Sequence, residues 1–580
     1  MSGELILCRH IRTQRMVDTG IKRLDAIEPR RGAAVLLEVL RSEGCRYIFG
    51  NPGTTELALM DALTGAPDIR YIWGLQEASA VAMADGYANA SGRPGFVNLH
   101  TAGGLGHGMG ALINAQVSNT PLVVTAGQQD MRHNLTDPLL SGDLVRIAGP
   151  AMKWATEIIN PDQIPLLVRR AFHDCTAAPS GPVFLSLPMN VMEQTSTVEI
   201  AELSTIDRAA VAGSLDRLSD MLAAIKPGRL ALIAGDEISP SGASAETVAL
   251  AEAFAAPVFG SSWPAHIPFP TAHPLWHGNL PTKASEIRAI LESYDAVFAL
   301  GGKSLITILY SEGPAVPPSC KVFQLSSDVR DLGRTYATEL SCMGDIKASL
   351  TVLLPMLDRK LARHRGAIAA LWETAATDHE TRRAALRERV KSESVAAVTT
   401  PFVAAAEVVR AIGPHVAIID EAPATMVSVR SLLESSSPRQ YSACRGGGLG
   451  WGMPAAVGWS LGLDRQPVVA LLGDGASMYS PQALWTAAYE GLPVTFVVMN
   501  NREYNILKNF SKSQPHYLSP RANRFIAMDI SDPPIDFLAL AAAMGVPARR
   551  VARAVDIAGA VEDGIASNRP NLIEIPIGTT

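Results

Sequence analysis

Charged residues are scarce in this chain: Asp, Glu, Lys and Arg make up 18% of 580 residues, against a usual ~25%. Neither sign dominates. The 50 Lys and Arg face 56 Asp and Glu for a net charge of −6, so the basic footprint of a nucleic-acid-binding protein is missing. Cysteine is equally sparse. Cys8, Cys45, Cys175, Cys320, Cys342 and Cys444 lie far apart with no C-x-x-C pair, which argues against a zinc site or a disulfide framework and suits a reducing, cytoplasmic compartment. No apolar run approaches the ~18 residues that span a bilayer, so no membrane partner is expected. Residues 1–28 carry Arg12, Arg15, Lys22 and Arg23 among scattered acids and lack the apolar centre of a signal peptide. They read as a loose N-terminal extension, with Met16 as an alternative start.

What the chain has in quantity is length and apolar residues, the latter 47% of the total. One domain per ~150 residues predicts three or four. Strand-like runs alternate with helical stretches nearly throughout, the pattern of α/β domains whose mainly parallel sheets are flanked by helices. Strands are predicted at 45–49, 95–99, 121–126, 183–187, 230–234, 296–300, 416–419, 468–472 and 494–499. Two stretches read as connectors: the polar 193–205, and 357–399, a charged linker predicted to be helical in part. Between them lie three domains, 29–192, 206–356 and 400–578.

The first and last of these share a layout. Arg93-Pro94 opens an apolar strand, then glycines, a helix, Pro121 and a second strand; Gln466-Pro467 opens the same series, ending at Pro493 and its strand. The two proline pairs are 27 and 26 residues apart. Generic βαβ construction gives similar spacings, but the match raises the idea of two related domains facing one ligand.

The strongest local motif is Gly473-Asp474-Gly475 followed by Asn500-Asn501. Two apolar strands deliver Asp474 and Asn501 to one sheet edge, where open α/β sheets bind ligands. A carboxylate and an amide oxygen converging there suit Mg²⁺, which takes few protein oxygens and completes its octahedron with phosphates and water. The plain alternative is a helix-capping aspartate and a turn.

This spacing resembles the metal and diphosphate signature of thiamine-diphosphate enzymes, in the pyruvate decarboxylase/acetolactate synthase superfamily. The resemblance runs over about residues 29–578, in the order pyrimidine-binding, middle and diphosphate-binding domains. Several blocks look most like the benzoylformate decarboxylases: Gly50-Asn51-Pro52-Gly53-Thr54-Thr55-Glu56, Gln76-Glu77-Ala78, Asn98-Leu99-His100, Gly127-Gln128-Gln129 and the glycines from Gly446 to Gly450. It implies thiamine diphosphate and Mg²⁺ as cofactors, the metal held by Asp474, Asn501 and the main-chain oxygen of Glu503. It implies that Glu77 hydrogen-bonds N1′ of the cofactor's aminopyrimidine. The Gly447 carbonyl would accept from its 4′-amine, Leu449 would wedge between its rings, and Thr425, Gly473, Gly475 and Asn51 would complete the cofactor cradle. Glycines at 446–448 and 450 suit a backbone that approaches a ligand closely. His100 and His273 match the two proton-handling histidines, a role that suits imidazole near neutral pH. Thr54 stands where a substrate-binding serine is usual, and Leu507 and Phe510 match two apolar pocket positions. His107, His266 and His277 remain structural or unassigned.

The expected reaction is non-oxidative decarboxylation of an aryl or branched 2-keto acid to an aldehyde and CO₂. The alternative is carboligation or lysis: acyloin or acetolactate-type synthesis, or cleavage of a 2-hydroxyacyl thioester. Active sites between chains are implied, hence a homodimer or homotetramer. Departures are the few hydroxyls in Glu421-Ala422-Pro423-Ala424-Thr425, and a long segment, 511–534, holding Lys512, His516, Arg521 and Arg524, read as a solvated loop or as a lid. No clear signal for a flavin is seen in the middle domain. A distant rival is a nicotinamide-dependent oxidoreductase: Gly106-His107-Gly108-Met109-Gly110-Ala111 satisfies G-x-G-x-x-A, with Asp130 about 20 residues on. Six residues separate those glycines from the strand, which weakens the match.

Overall fold

The computed structural model describes residues 28–579 apart from Ser436 and Pro438; the predicted extension 1–28, with Met16, lies outside the described residues except for Glu28. Three six-stranded sheets follow one another along the chain. The first is built from Arg70–Trp73, Tyr47–Gly50, Gly95–His100, Leu122–Gln128, Val183–Pro188 and Ala155–Glu157 in spatial order, and every pairing in it is parallel. The third runs Tyr441–Ala443, Ala417–Glu421, Val468–Gly473, Val494–Asn500, Asn571–Pro576 and Ala548–Arg550, also wholly parallel. Numbered along the chain, both sheets have the order 2-1-3-4-6-5. The layout shared by the two proline-marked segments is thus a shared topology, and His100 and Gly473 end equivalent strands.

These strands are apolar nearly end to end because helices cover both faces. Val468, Val469, Ala470, Leu471 and Leu472 are all fully buried, so the first polar side chain after them falls at the sheet's carboxyl edge. The two outer sheets are bolted together within the chain. Helix Glu77–Ser91 of the first packs along helix Gly452–Gly462 of the third, closely enough that a Cβ on Gly458 would lie 1.8 Å from the Met83 carbonyl. Trp451 Nε1 donates to the buried Asp85 across this seam at 3.0 Å.

The middle sheet, Trp276–Asn279, Val258–Gly260, Leu230–Ala234, Ala296–Leu300, Lys321–Ser326 and Leu340–Met343, has the order 3-2-1-4-5-6 found in dinucleotide-binding folds. Its switch point lies after Ala234 and Leu300. There Glu237 reaches across, and its carboxylate accepts from Gly302 N (2.8 Å), Ser326 Oγ (2.6 Å), and Ser327 N and Oγ (both 2.9 Å). The chain's own carboxylate occupies the place where such folds seat a phosphate. The charged stretch predicted as a linker is mostly one long helix, Arg365–Glu393, and the helix before it, Ile346–Leu361, carries the middle domain's last buried leucines past residue 357. No helix among the described residues is long and apolar enough to cross a membrane.

Candidate active site

Two separate clusters hold most of the residues singled out from the sequence. The first is a cavity of about 60 Å³ at the carboxyl edge of the third sheet, lined among others by Thr425, Leu449, Asp474, Asn501, Glu503 and Tyr504. Strand register sets Gly473 opposite Met499, so Asp474 and Asn501 leave adjacent strands at the same level. Asn500 turns away: its amide donates to Glu574 at 2.7 Å. Asp474 is 4% exposed, with Oδ1 accepting from Gly475 N (2.7 Å) and Oδ2 from Arg502 N (2.6 Å). Burial pushes its carboxyl up to about 6, and no cationic side chain balances it among the described residues. The Glu503 side chain is engaged elsewhere, by Asn505 and Lys508, which leaves its main-chain oxygen for the cavity. One carboxylate, one amide oxygen and one carbonyl fit a divalent cation that draws its remaining ligands from a diphosphate and water. No cluster of three or more His, Cys, Asp or Glu competes for a metal among the described residues.

The glycine loop above this cavity is held by two residues that sequence reasoning did not single out. Glu421 accepts from Trp451 N (2.9 Å) and Gly452 N (3.0 Å). Asn114 brackets Gly448, donating to its oxygen at 2.9 Å and accepting from its nitrogen at 3.1 Å. Gly447 and Gly450 have φ of 74° and 95°, and a Cβ on Gly475 would lie 2.4 Å from the Tyr504 ring, so these positions require glycine. Leu449 is left 37% exposed. Thr425 is buried at the start of helix Met426–Leu432.

The second cluster lies at the carboxyl edge of the first sheet. Glu77 opens helix Glu77–Ser91 and is buried, with Asn51 Nδ2 donating to Oε1 at 3.2 Å and His107 Nδ1 lying 3.2 Å from Oε2. His100 Nδ1 is 2.8 Å from Glu56 Oε2 and 3.1 Å from Thr55 Oγ1. Glu56 itself is buried, accepting from Gly53 N (2.9 Å) and Gly127 N (3.0 Å). The hydrogen bond His100 donates to the Glu56 carboxylate raises the His100 pKa above its ordinary value. A Cβ on Gly53 would sit 2.3 Å from the His100 ring, so that glycine lets the chain pass under the imidazole and present Thr54, which is exposed. Glu56 and His107 were quoted or passed over without a role; for Glu56 the one visible signal was a carboxylate immediately before the apolar helix Leu57–Leu63.

Other residues fall outside these clusters. His273 sits in the middle domain, with Nε2 3.4 Å from Glu252 Oε1 and its ring edge-on to Phe269 and Trp372. It is tied to the diphosphate half, because Thr271 donates to Leu433 O and Ser435 O at the far end of helix Met426–Leu432. Leu507 is 46% exposed and Phe510 half-buried on helix Asn505–Lys512. The 511–534 segment returns to the metal loop: Tyr504 N donates to Met528 O (2.8 Å), Ile530 N to Arg502 O (2.9 Å) and Lys508 Nζ to Asp529 (2.6 Å). The dinucleotide-like glycines lie inside helix Thr101–Val117, not in a turn between strand and helix.

Within one chain the two clusters stay apart. Helix Thr101–Val117 touches Glu77 at Gly104 and His107 and touches Gly448 at Asn114, seven to ten residues or about 10–15 Å along its axis. One aminopyrimidine ring does not reach from Glu77 to the glycine loop of the same chain.

Two topologically matched outer domains, one offering a metal and diphosphate cavity and the other a buried acid, define a cofactor-dependent α/β enzyme. Comparison with known families gives the cofactor. Residues 30–146, 215–353 and 423–575 match the N-terminal TPP binding, central and C-terminal TPP binding domains of the thiamine pyrophosphate enzymes. Benzoylformate decarboxylase of Pseudomonas aeruginosa is 31% identical over 551 residues, covering 93% of this chain and 98% of that protein. The thiamine diphosphate-dependent 4-hydroxybenzoylformate decarboxylase of Rhodococcus jostii RHA1 superposes with a TM-score of 0.82 at 29% identity, over 95% and 100% of the two chains. A chloroplastic acetolactate synthase of Arabidopsis thaliana is 24% identical over 575 residues, 96% of this chain and 83% of its own. The chain belongs to the thiamine pyrophosphate enzyme family, in the pyruvate decarboxylase/acetolactate synthase superfamily.

Proposed function

We propose that this enzyme decarboxylates a 2-keto acid of aryl or branched type to an aldehyde and CO₂, with Mg²⁺ and thiamine diphosphate. The observation that carries the reading is the Glu56–His100 pair beside Thr54: after CO₂ leaves, a carbon must be protonated, and a histidine whose proton is held by a buried carboxylate suits that task. Thiamine diphosphate, when bound, supplies the electron sink for the carbon next to the carbonyl. Asp474, Asn501 and the Glu503 carbonyl hold the metal, while Thr425, Gly473 and Gly475 line the diphosphate's place. Gly447, Leu449 and Asn51 orient the rings, and Glu77 addresses the aminopyrimidine. Thr54 positions the substrate carboxylate by its hydroxyl, and Leu507 with Phe510 forms the apolar wall. His100 comes with the acid half and His273 with the diphosphate half, one on each side of the substrate. Such a site takes its halves from two chains, so the working unit is at least a homodimer.

The benzoylformate decarboxylase relatives support decarboxylation, and the acetolactate synthase relatives keep ligation as the second reading. A panel of 2-keto acids, benzoylformate and branched aliphatic ones included, is expected to yield CO₂ and the matching aldehyde in equal amounts. Acyloin or acetolactate as the main product would transfer the assignment to ligation. Thiamine diphosphate with Mg²⁺ at a hundred times Kd should add about 2.7 kcal/mol of stability and raise Tm; a cofactor-free preparation whose Tm ignores the pair would overturn the cofactor assignment.

A further inference from the structure

The metal loop gives one side of its backbone to the cavity and the other to the 511–534 segment, whose residues 525–531 form a strap across it. Tyr504 N donates to Met528 O at 2.8 Å and Ile530 N to Arg502 O at 2.9 Å. Between these bonds Glu503 faces Asp529 in an antiparallel bridge. In a planar trans peptide the N–H and C=O point in opposite directions. With Tyr504 N–H turned to the strap, the Glu503 carbonyl of the same unit faces away from it, on the cavity side. The preceding unit gives an independent check. Arg502 O faces Ile530, so Glu503 N must face the cavity side, and there it donates to Asn501 Oδ1 at 3.1 Å. The two oxygens proposed as metal ligands thus share one face of the loop, and the strap holds the other.

The loop does not keep this shape by local preference. Arg502 sits at φ 59°, a left-handed conformation that a Cβ disfavours. The bridge also sets two carboxylates, Glu503 and Asp529, directly opposite one another, where like charges repel. Lys508 answers the second problem. Its ammonium contacts both acids, reaching Asp529 at 2.6 Å, and the strap's Phe525 ring centre lies 5.6 Å away. Lys508 and Glu503 have side chains only 10% and 11% exposed, so solvent ions screen this pair little. All of these groups belong to one chain, and a partner chain could only bury them further.

We infer that Lys508 is a positioning residue for the cofactor's metal: it neutralises Glu503 and Asp529 together, fastens the strap to the loop, and so aims the Glu503 carbonyl. The inference rests on the reading of that carbonyl as a ligand of Mg²⁺ beneath thiamine diphosphate. It gives the 511–534 segment a task that neither a solvated loop nor a lid supplies. Mg²⁺ demands near-ideal octahedral geometry at short range, whereas Ca²⁺ accepts variable geometry. A carbonyl that is no longer aimed therefore penalises the smaller ion more.

Electron spin resonance of Mn²⁺, with thiamine diphosphate matched to the sites and Mg²⁺ or Ca²⁺ as competitor, reads the affinity of each ion without turnover. Lys508→Met keeps the aliphatic stem and removes the charge. It should weaken Mg²⁺ binding about tenfold and Ca²⁺ binding no more than about threefold. Lys508→Arg, which retains a cation able to meet two carboxylates, should return most of the Mg²⁺ affinity. Asp529→Ala removes the exposed end of the clamp and should weaken Mg²⁺ about threefold. This variant decides the matter should Lys508→Met lose Tm in the cofactor-free state. Native Mg²⁺ affinity in the folded variants, or equal losses for the two ions, would overturn the proposal. A native enzyme that takes up no Mn²⁺ with thiamine diphosphate present would instead sink the metal reading beneath it.

Discussion

Glu56 holds the proton affinity of His100 above its ordinary value by accepting its hydrogen bond. The histidine's raised pKa comes first from that hydrogen bond, with burial opposing it, so removing the acid should return the imidazole towards about 6.5. Glu56→Gln is expected to show this in an NMR titration of the ring; an unshifted His100 would mean that Thr55 or the surroundings set its proton affinity. The sign for stability follows from the raised pKa. The ion pair supports the fold below the unfolded histidine pKa, and its contribution is lost as pH rises through the folded value. The variant should therefore lose more stability in acid than above neutrality. In catalysis, His100→Ala should slow turnover about 10²- to 10⁴-fold. His100, Asp474 and Asn501 were visible in the sequence because each ends an apolar run, where a parallel sheet exposes its ligand-binding edge. The contact of Glu56 with His100 was not, because its partner lies 44 positions away.

Elements meet at the glycine loop, and there the decisive contacts are longer still. Asn114 bonds Gly448 across 334 residues, a pairing no local pattern announces. Strand positions were legible to within a residue or two: 230–234 and 296–300 coincide with Leu230–Ala234 and Ala296–Leu300. The charged 357–399 stretch, predicted helical in part, is mostly helix Arg365–Glu393, whose extent was less legible because a solvated helix has little apolar periodicity to mark its ends. At the loop itself, Glu421 gives up hydration to hold Trp451 N and Gly452 N, and burial pushes its carboxyl up to about 7. A raised acid reverses the usual sign: its charged form costs stability, a cost absent below the unfolded pKa near 4.3 and complete above about 7. Native stability relative to Glu421→Gln should thus fall by on the order of 3 kcal/mol between pH 4 and pH 8, as read from urea unfolding at several pH values. A difference independent of pH would show that the group does not titrate in this range. The same variant should bind thiamine diphosphate more weakly, because one amide oxygen replaces two carboxylate acceptors and the loop loses an anchor.

At the scale of the whole molecule, the geometry makes a demand that one chain does not meet. Glu77 and the glycine loop are about 10–15 Å apart along helix Thr101–Val117, although the proposed cofactor must touch both at a single ring. A two-fold pair of chains would solve this: in the isologous contact proposed above, the acid half of each subunit would meet the diphosphate half of the other. Mixing two crippled enzymes tests the arrangement. Glu77→Gln alone and Asp474→Ala alone should each be nearly inactive. Co-expressed in equal amounts, random pairing makes half of the dimers mixed. In each mixed dimer, one site collects both lesions and the other collects neither. Activity should therefore return to about a quarter of the native value, although no chain in the mixture is intact. Were each site built within one chain, every site would still carry one lesion and the mixture would stay as inactive as its components. The same experiment with Glu77→Gln and His100→Ala, two lesions on the same half, should give no recovery, because every acid half then carries a defect whichever partner it meets.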